Sequence, residues 1–418
     1  MIAVVHPGGV RGAMVAPPSK SHAIRLLLAA ALARGESRLS GVGASDDVRA
    51  ARGLVHALGA SVHGEGDDLV VRGDPDRRPR GGVVTCGESG LLLRAAGPLL
   101  ATGQGRWRIE AEGSLRARTV PGLEAALQTL GGRASTHGGH PPLEVEGPLS
   151  GGLLDFDAGE SSQVLTGLLL AAPLIPGGLT LRLTGLASRP WVELTLAVIA
   201  ARGVTAEADL DAGRIHVPGG QALLPGPARV QGDWSGAAFL LVAGALCGDV
   251  LVHGLDPDSR QADRALLPIL ASAGAALQIR GRTVRAMAAP LRAFFADVRD
   301  CPDLAPPLAA LATGCQGTSR LQGVGRLRGK ESDRAAALVA ELSRLGIAAG
   351  VEGDELQITG GQPRGGLADA HADHRIAMAL AVLALRAAGP VTIQGAGSVA
   401  KSFPAFFEEL TGLQRGCA

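Results

Sequence analysis

The chain has 418 residues, 46% of them hydrophobic, and its 40 basic and 39 acidic side chains leave a net charge of +1. This length fits two domains with sizeable cores, and the balanced charge argues against a nucleic-acid-binding protein. The cysteines are scattered, which is typical of a cytosolic protein, and no signal peptide is visible. Prolines interrupt the longest uncharged stretch (161–181), which argues against a membrane span. We therefore expect a soluble cytoplasmic α/β protein.

Six segments along the chain begin with polar residues and continue as long apolar runs. Because they carry almost no charge along their length, we expect them to form buried helices rather than amphipathic ones. They begin near Ser19, Ser89, Ser161, Ser235, Pro302 and Asp373.

A second pattern alternates with these segments: a helical stripe ends at a glycine, and a strand, a turn and another strand follow. These glycines are 71 or 72 residues apart, at Gly59, Gly131, Gly203, Gly274 and Gly346, and a shortened copy at 406–413 closes the chain. A glycine here is expected to adopt the left-handed conformation that ends a helix. Together the patterns predict a two-domain, inside-out α/β barrel of six βαβαββ repeats, three per domain, with helices inside and sheets outside.

The polar residues at the starts of the six apolar helices indicate anion binding. Helix N-termini carry unsatisfied N–H groups and a partial positive charge. Lys20, Arg25, Arg94 and Arg375 lie near such starts, so a ligand with several negative groups is expected. The alternative is that the Ser and Asp residues there are ordinary helix caps.

Lysine is rare in this chain: three of the 40 basic residues are lysines. Lys20, Lys330 and Lys401 each lie in a polar cluster at a helix entry. Lysine offers a compact charge and an adjustable pKa that arginine lacks. These three positions are therefore candidate functional residues.

The motifs PPSKSHAIR, SSQ, CPD, KESDR, DHR and AKSFP occur in this order over essentially the whole chain. In order and spacing they resemble the 5-enolpyruvylshikimate-3-phosphate (EPSP) synthase family. The resemblance implies two domains, 19–230 and 1–18 with 231–418, which close on substrate. It also implies transfer of the enolpyruvyl group of phosphoenolpyruvate to the 5-hydroxyl of shikimate 3-phosphate, on the way to chorismate. No cofactor, no metal and a monomer are expected.

The resemblance also assigns binding residues, with shikimate 3-phosphate mainly on the first domain and the phosphoenolpyruvate clamp and catalytic carboxylates on the second. The residues expected to bind shikimate 3-phosphate are Lys20, Ser21, Arg25, Ser161, Ser162, Gln163, Ser188, Asp303 and Lys330, with Trp191 under its ring. Those expected to bind phosphoenolpyruvate are Lys20, Gly90, Arg118, Gln163, Arg334, Arg375 and Lys401.

Three of these residues are expected to be catalytic. Asp303 is similar to the family carboxylate that takes the 5-hydroxyl proton, Glu331 to the acid that protonates the methylene carbon, and Lys20 contacts the substrates. Such residue types suit the reaction, because a hydroxyl nucleophile needs a base and an enol ether needs a carbon acid. Two carboxylates among cations must also have pKa values that differ.

Some positions depart from the family pattern. Glu88 stands where an uncharged amide is common, and Leu91 and Ala95 stand where relatives sensitive to the inhibitor glyphosate typically have Thr and Pro. We therefore expect reduced glyphosate sensitivity. His371, Asp373 and His374 together have a metal-like appearance, but no second cluster accompanies them.

Two other functions are open to this sequence. The first is UDP-N-acetylglucosamine enolpyruvyl transferase, a sister family that usually has Cys or Asp on a loop near the equivalent of Arg118. Residues 113–120 contain neither. The second is a non-catalytic anion-binding protein, which would not need Asp303 and Glu331 facing an anionic ligand.

Overall fold

The computed structural model describes residues 1–64, 66–74, 76 and 80–417. Within these residues it has twelve α-helices. They are α1 (Lys20–Leu32), α2 (Asp46–Ala57), α3 (Gly90–Leu100), α4 (Leu123–Thr129), α5 (Gln163–Ala171), α6 (Arg189–Ala200), α7 (Trp234–Cys247), α8 (Leu266–Ser272), α9 (Ala305–Ala312), α10 (Arg334–Arg344), α11 (His374–Ala384) and α12 (Phe406–Arg415).

The strands of the described residues are short and are numbered in chain order. They are β1 (Ile2–Val5), β2 (Val10–Val15), β3 (Gly35–Ser40), β4 (Ser61–His63), β5 (Leu69–Gly73), β6 (Gly81–Thr85), β7 (Gly105–Glu110), β8 (Arg133–His137), β9 (His140–Gly147), β10 (Gly152–Ala158), β11 (Leu179–Leu186), β12 (Glu207–Asp209), β13 (Arg214–Val217), β14 (Ala228–Arg229), β15 (Gly248–His253), β16 (Ala276–Arg280), β17 (Thr283–Met287), β18 (Leu291–Arg292), β19 (Phe295–Asp297), β20 (Cys315–Gln316), β21 (Thr318–Gln322), β22 (Ala349–Glu352), β23 (Glu355–Thr359), β24 (Gly366–Asp369) and β25 (Val391–Gln394).

The chain divides into two compact units. The N-terminal unit is Lys20–Val230, and the C-terminal unit combines Met1–Ser19 with Gln231–Ala418. The N-terminal unit has three four-stranded sheets with the orders β14–β3–β5–β4, β6–β7–β9–β8 and β10–β11–β13–β12. In each sheet the first two strands are parallel and the remaining pairs are antiparallel.

The C-terminal unit uses the same pairing. Two four-stranded sheets have the orders β2–β15–β17–β16 and β19–β21–β23–β22, and a three-stranded sheet has the order β24–β25–β1. A two-stranded sheet, β18–β20, accompanies them. Strand β2 lies in this unit because it pairs in parallel with β15, which explains why the first 19 residues belong to it.

The strands alternate buried and exposed side chains, as expected for sheets with one solvent-facing side. In β7, Trp107 and Ile109 are buried, whereas Arg108 and Glu110 are exposed and form an ion pair. The sheets therefore offer one apolar face to the core of their unit.

The six apolar segments form helices that are buried along nearly their whole length, as predicted. They are α1, α3 and α5 in the N-terminal unit and α7, α9 and α11 in the C-terminal unit. The segment after Cys301 begins as a short 3-10 helix, Pro302–Leu304, and becomes α9 only at Ala305. No helix among the described residues is long and apolar enough to cross a membrane.

The predicted helix-ending glycines are confirmed. All five lie two or three residues beyond a helix and have φ between 80° and 90°: Gly59, Gly131, Gly203, Gly274 and Gly346. A residue with a Cβ would be strained in this left-handed conformation, so glycine is required where each helix turns into its hairpin.

Candidate active site

The C-terminal unit brings six predicted site residues together at or near the ends of its helices. Asp303 lies in the 3-10 helix before α9, and Lys330 and Glu331 lie in irregular backbone just before α10. Arg334 is the first residue of α10, Arg375 the second residue of α11, and Lys401 ends the 3-10 helix Ala396–Lys401. Aspartates cap both helices: Asp333 accepts from Ala336 N, and Asp373 from Arg375 N.

Arg334 is the centre of this group. Its side chain is 1% exposed and donates to three carboxylates at once. Nε donates to Asp373 Oδ2 at 2.7 Å, Nη1 to Asp303 Oδ1 at 2.7 Å, and Nη2 to Glu331 Oε2 at 2.6 Å. Burial alone would lower the pKa of this guanidinium, but Asp373, Glu331 and Asp303 raise it above its usual value. Arg334 is therefore a fixed cation that holds both predicted catalytic carboxylates.

Asp303 is the carboxylate with the most cations around it. Arg375 Nη2 donates to its Oδ2 at 3.0 Å, and Lys330 Nζ lies 3.8 Å from its Oδ1, the oxygen that also accepts from Arg334. Burial acts to raise the pKa of Asp303, but Arg375, Lys330 and Arg334 hold it well below its usual value. Asp303 is consequently an ionised acceptor at neutral pH.

Glu331 has a separate cation. Lys401 Nζ lies 3.4 Å from Glu331 Oε1, and Arg334 occupies the other carboxylate oxygen. Both Lys401 and Glu331 are 9% exposed at the side chain, so this pair is shielded from water far more than a surface ion pair. The arrangement supplies two carboxylates and four cations, which suits an anionic substrate that must gain and lose protons.

In the N-terminal unit, Lys20 begins α1 and forms an ion pair with Asp47 near the start of α2. Nζ and Oδ2 are 2.9 Å apart, and the side chains are 15% and 5% exposed. Asp47 was not predicted as a site residue. Its one signal in the sequence is an acidic residue in the first turn of a helix, which is common at any helix start.

Arg25, also on α1, is buried and bonded to α5 and α6. Its Nε donates to Thr195 Oγ1 at 2.9 Å and its Nη2 to Thr166 Oγ1 at 3.1 Å. Its Nη1 donates to Ser21 O at 2.9 Å, and the guanidinium lies 5.6 Å from the ring centre of Trp191. Burial lowers the pKa of Arg25 to about 9. Arg25 thus ties together three helices that begin with predicted substrate-binding residues.

A third group surrounds the start of α3. An added Cβ on Gly90 would lie 2.9 Å from Nη1 of both Arg118 and Arg94. Arg94 Nη1 donates to Gln163 Oε1 at 2.9 Å and to Gly90 O at 3.3 Å. The structure therefore brings the predicted phosphoenolpyruvate residues Gly90, Arg118 and Gln163 together around Arg94, which the sequence placed at a helix start but not in the site.

The predicted serines lie at helix starts. Ser161 Oγ accepts from Gln163 N at 3.3 Å, and Ser162 is the residue before α5. Ser188 precedes α6 with a left-handed φ of 57°. Ser21 contributes its main-chain oxygen to Arg25.

The metal-like residues have other partners. His371 Nε2 lies 2.9 Å from Glu341 Oε1, Asp373 binds Arg334 and caps α11, and buried His374 lies next to Asp373. Within the part of the chain that the structure describes, no group of three or more His, Cys, Asp or Glu side chains is arranged to hold a metal ion.

Asp263 is a buried carboxyl that sequence reasoning missed. It lies in the 3-10 helix Ala262–Ala265, is 0% exposed, and its Oδ2 accepts from Ser235 Oγ at 2.6 Å. Its pKa is raised to about 7, mainly by burial and then by the neighbouring charge of Asp303, while Arg375 acts in the opposite direction. No helical or strand periodicity marks this position, so its burial could not be seen in the sequence.

Comparisons with known proteins agree over the length of the chain. A family model described as EPSP synthase (3-phosphoshikimate 1-carboxyvinyltransferase) matches residues 4–410. A 3-phosphoshikimate 1-carboxyvinyltransferase from Aeropyrum pernix is 40% identical over 413 residues, covering 98% of this chain and 95% of that protein. One from Deinococcus radiodurans is 38% identical over 417 residues, with the same two coverages.

Solved structures show the same likeness. An EPSP synthase from Acinetobacter baumannii has a TM-score of 0.84 at 25% identity, covering 99% of this chain and 98% of that one. The enolpyruvyl transferase NikO from Streptomyces tendae has a TM-score of 0.78 at 19% identity, covering 99% and 97%, a likeness of fold. The family match and the full-length relatives together show that this chain belongs to the EPSP synthase family.

Proposed function

We propose that this chain is a transferase that moves the enolpyruvyl group of phosphoenolpyruvate to the 5-hydroxyl of shikimate 3-phosphate and releases phosphate, a step toward chorismate and the aromatic amino acids. The observation that carries this proposal is the full-length identity to relatives that bear this activity as their name. The alternative acceptor, UDP-N-acetylglucosamine, has no comparable support.

The carboxylates of the C-terminal unit suit the proton transfers of this reaction. Asp303 accepts the 5-hydroxyl proton as the oxygen attacks C2 of phosphoenolpyruvate, and Glu331 gives a proton to the methylene carbon. Glu331 then takes a proton back from the methyl group as phosphate leaves, and the carbon–carbon double bond of the enol-ether product forms. The low pKa of Asp303 supports its role as an ionised acceptor, and Arg334 keeps both carboxylates in place.

The cations of the same unit suit phosphoenolpyruvate. Arg334, Arg375 and Lys401 are each buried among carboxylates, so their charge is screened little by solvent. Lys330 is assigned to the shikimate hydroxyls. A bound anion would contact the same cations and would weaken their ion pairs with Asp303 and Glu331. The pKa of each carboxylate would then rise, which favours proton uptake by it.

The N-terminal unit is assigned shikimate 3-phosphate. We propose that Ser21, Ser161, Ser162, Gln163 and Ser188 bind its phosphate and hydroxyls. Arg25 acts by holding α1, α5 and α6 together, because most of its N–H groups already donate to protein oxygens. Lys20 is assigned to both substrates, and Gly90, Arg118 and Gln163 to phosphoenolpyruvate.

We also infer that the two units are the two domains of an inside-out α/β barrel, with three βαβαββ repeats each. The shared strand order of the sheets and the buried helices support this interpretation. A monomer in the cytoplasm remains the expectation from the sequence, and light scattering would test the first part.

The proposed function is tested by measuring phosphate release with both substrates, with each alone, and with UDP-N-acetylglucosamine as acceptor. Release that requires shikimate 3-phosphate and phosphoenolpyruvate together supports the proposal. Asp303→Asn should lower turnover by at least ~10²-fold, whereas Asp297→Asn, at an exposed ion pair with Arg299, should not. Release with UDP-N-acetylglucosamine instead would overturn it.

A further inference from the structure

The turn that leads into α11 has an unusual backbone. His371 and Ala372 have φ values of 51° and 53°, and among the described residues Ser188 is the other non-glycine residue with positive φ. The left-handed region costs a residue with a Cβ free energy, and such residues persist where surrounding contacts enforce them. Two in succession, immediately before Asp373, call for a specific restraint.

That restraint is a buried carboxylate on α10. Glu341 is 1% exposed, and His371 Nε2 lies 2.9 Å from its Oε1. Its Oε2 accepts from Asp369 N at 3.1 Å, so one carboxylate holds the turn at two points. Within the turn, His371 N donates to Asp369 Oδ1 at 2.7 Å, and Asp373 N donates to Ala370 O at 2.8 Å.

The turn fixes the next residue, and through it two cations of the candidate site. Asp373 Oδ1 accepts from Arg375 N at 2.9 Å, and its Oδ2 accepts from Arg334 Nε at 2.7 Å. A change of the backbone at residues 371–372 would rotate Asp373, and Arg334 and Arg375 would lose their common anchor. Among the side-chain contacts of the described residues, those of His371 and Glu341 do not include Asp303 or Glu331.

We propose that His371 is a positioning residue: by bonding Glu341 it holds residues 371–372 in the left-handed conformation that places Asp373, Arg334 and Arg375 for phosphoenolpyruvate. This rests on the proposed function, because it concerns the anion held by these two arginines. It also gives a role to His371, which the sequence groups with Asp373 and His374 in a metal-like cluster.

The kinetic test compares His371→Ala with His371→Gln. Alanine removes the bond to Glu341, and the KM for phosphoenolpyruvate should rise about three- to tenfold, the range of one net hydrogen bond, with kcat within about twofold. Glutamine can still reach Glu341 with an amide N–H and should restore most of the KM. His253→Ala is the matched control, since His253 also makes a side-chain bond, to Thr283, but lies in a sheet without site residues.

A second arm needs no substrate. Hydrogen exchange of a peptide covering residues 370–376 should be faster in His371→Ala than in the wild type, and near the wild-type rate in His371→Gln. Ala372→Gly should leave the melting temperature unchanged or raise it, because glycine adopts φ of 53° freely. Ala340→Gly, exposed within α10, should lower it.

The outcomes separate the two proposals. If the wild type releases no phosphate from the two substrates, the proposed function fails, and the exchange measurements still decide whether His371 holds the turn. Unchanged exchange and unchanged KM in His371→Ala would overturn the inference. A lower melting temperature with normal KM would reduce His371 to a purely structural residue and overturn the positioning role.

Discussion

Replacing Arg334 by methionine tests whether one buried cation holds the candidate site together. Methionine is unbranched and apolar and replaces the aliphatic part of the arginine side chain, so the change removes mainly the guanidinium. Arg334 is 1% exposed and bonds three carboxylates, Asp303, Glu331 and Asp373. Removing one partner of a buried ion pair leaves an uncompensated charge and costs about 3–5 kcal/mol of unfolding free energy.

The expected value lies at the lower end of this range, because two of the three carboxylates keep other cations. Asp303 retains Arg375 at 3.0 Å, and Glu331 retains Lys401 at 3.4 Å. Asp373 is 0% exposed and keeps the neutral donors Arg375 N and Ser332 Oγ, and His374 Nδ1 lies 3.6 Å from its Oδ1. One orphaned carboxylate predicts a loss of about 3 kcal/mol.

The assay is urea-dependent hydrogen exchange, measured on peptides from α10 and α11. It reports the unfolding free energy of the C-terminal unit alone, which is needed because a chain of two units need not unfold in one step. Adding Asp373→Asn should recover more than half of the loss, because it removes the orphaned charge. Arg182→Met, at an exposed pair with Asp155, should cost at most about 1 kcal/mol. Equal losses in Arg334→Met and Arg182→Met would refute the reasoning.

Three further outcomes are expected. Lys20→Arg should lower turnover at least ~10²-fold, since it replaces a compact ammonium, 2.9 Å from Asp47, by a wider planar fork whose pKa is not adjustable. Near-normal turnover would reduce Lys20 to a simple charge. Gly90→Ala should raise the KM for phosphoenolpyruvate about tenfold through overpacking, because the new methyl group would meet two guanidiniums; an unchanged KM would contradict this. Asp263 has a pKa raised to about 7 from 3.8, so the folded protein holds its proton more tightly and stability should fall as pH rises from about 4 to 7. Asp263→Asn should remove that slope in urea midpoints measured between pH 4 and 8; an identical slope in the variant would show that another group causes it.

The sequence predicted the elements of the fold well because their signals are local. A glycine after a helical stripe must adopt positive φ wherever the chain turns back, and all five predicted positions, such as Gly59 and Gly346, do so. Uncharged runs such as α7 can be stable only when buried. One predicted helix start differs from the structure. The sequence predicts a helical segment from near Pro302, but a 3-10 turn, Pro302–Leu304, precedes α9.

The site could be predicted only in part, because residue types are visible in the sequence and partners are not. The motifs identify Asp303, Glu331 and Arg334 as polar residues at helix starts. Asp373, the carboxylate that anchors Arg334, lies 39 residues from it in the chain and looks like an ordinary cap. Glu341 lies on α10, and only the packing of α10 against the turn at residue 371 explains why a carboxylate is buried there.

The first strands of the chain have a consequence for the order in which the protein is made. β2 leaves the ribosome early, yet its parallel partner β15 begins only at Gly248, after the whole of Lys20–Val230 has been synthesised. The N-terminal unit is continuous, so it can fold as it emerges, whereas the sheet that contains β2 waits for chain made last. A fragment of residues 20–230 should therefore fold alone, whereas residues 231–418 without the first 19 would leave the edges of β15 and β25 unpaired and open to association with other chains.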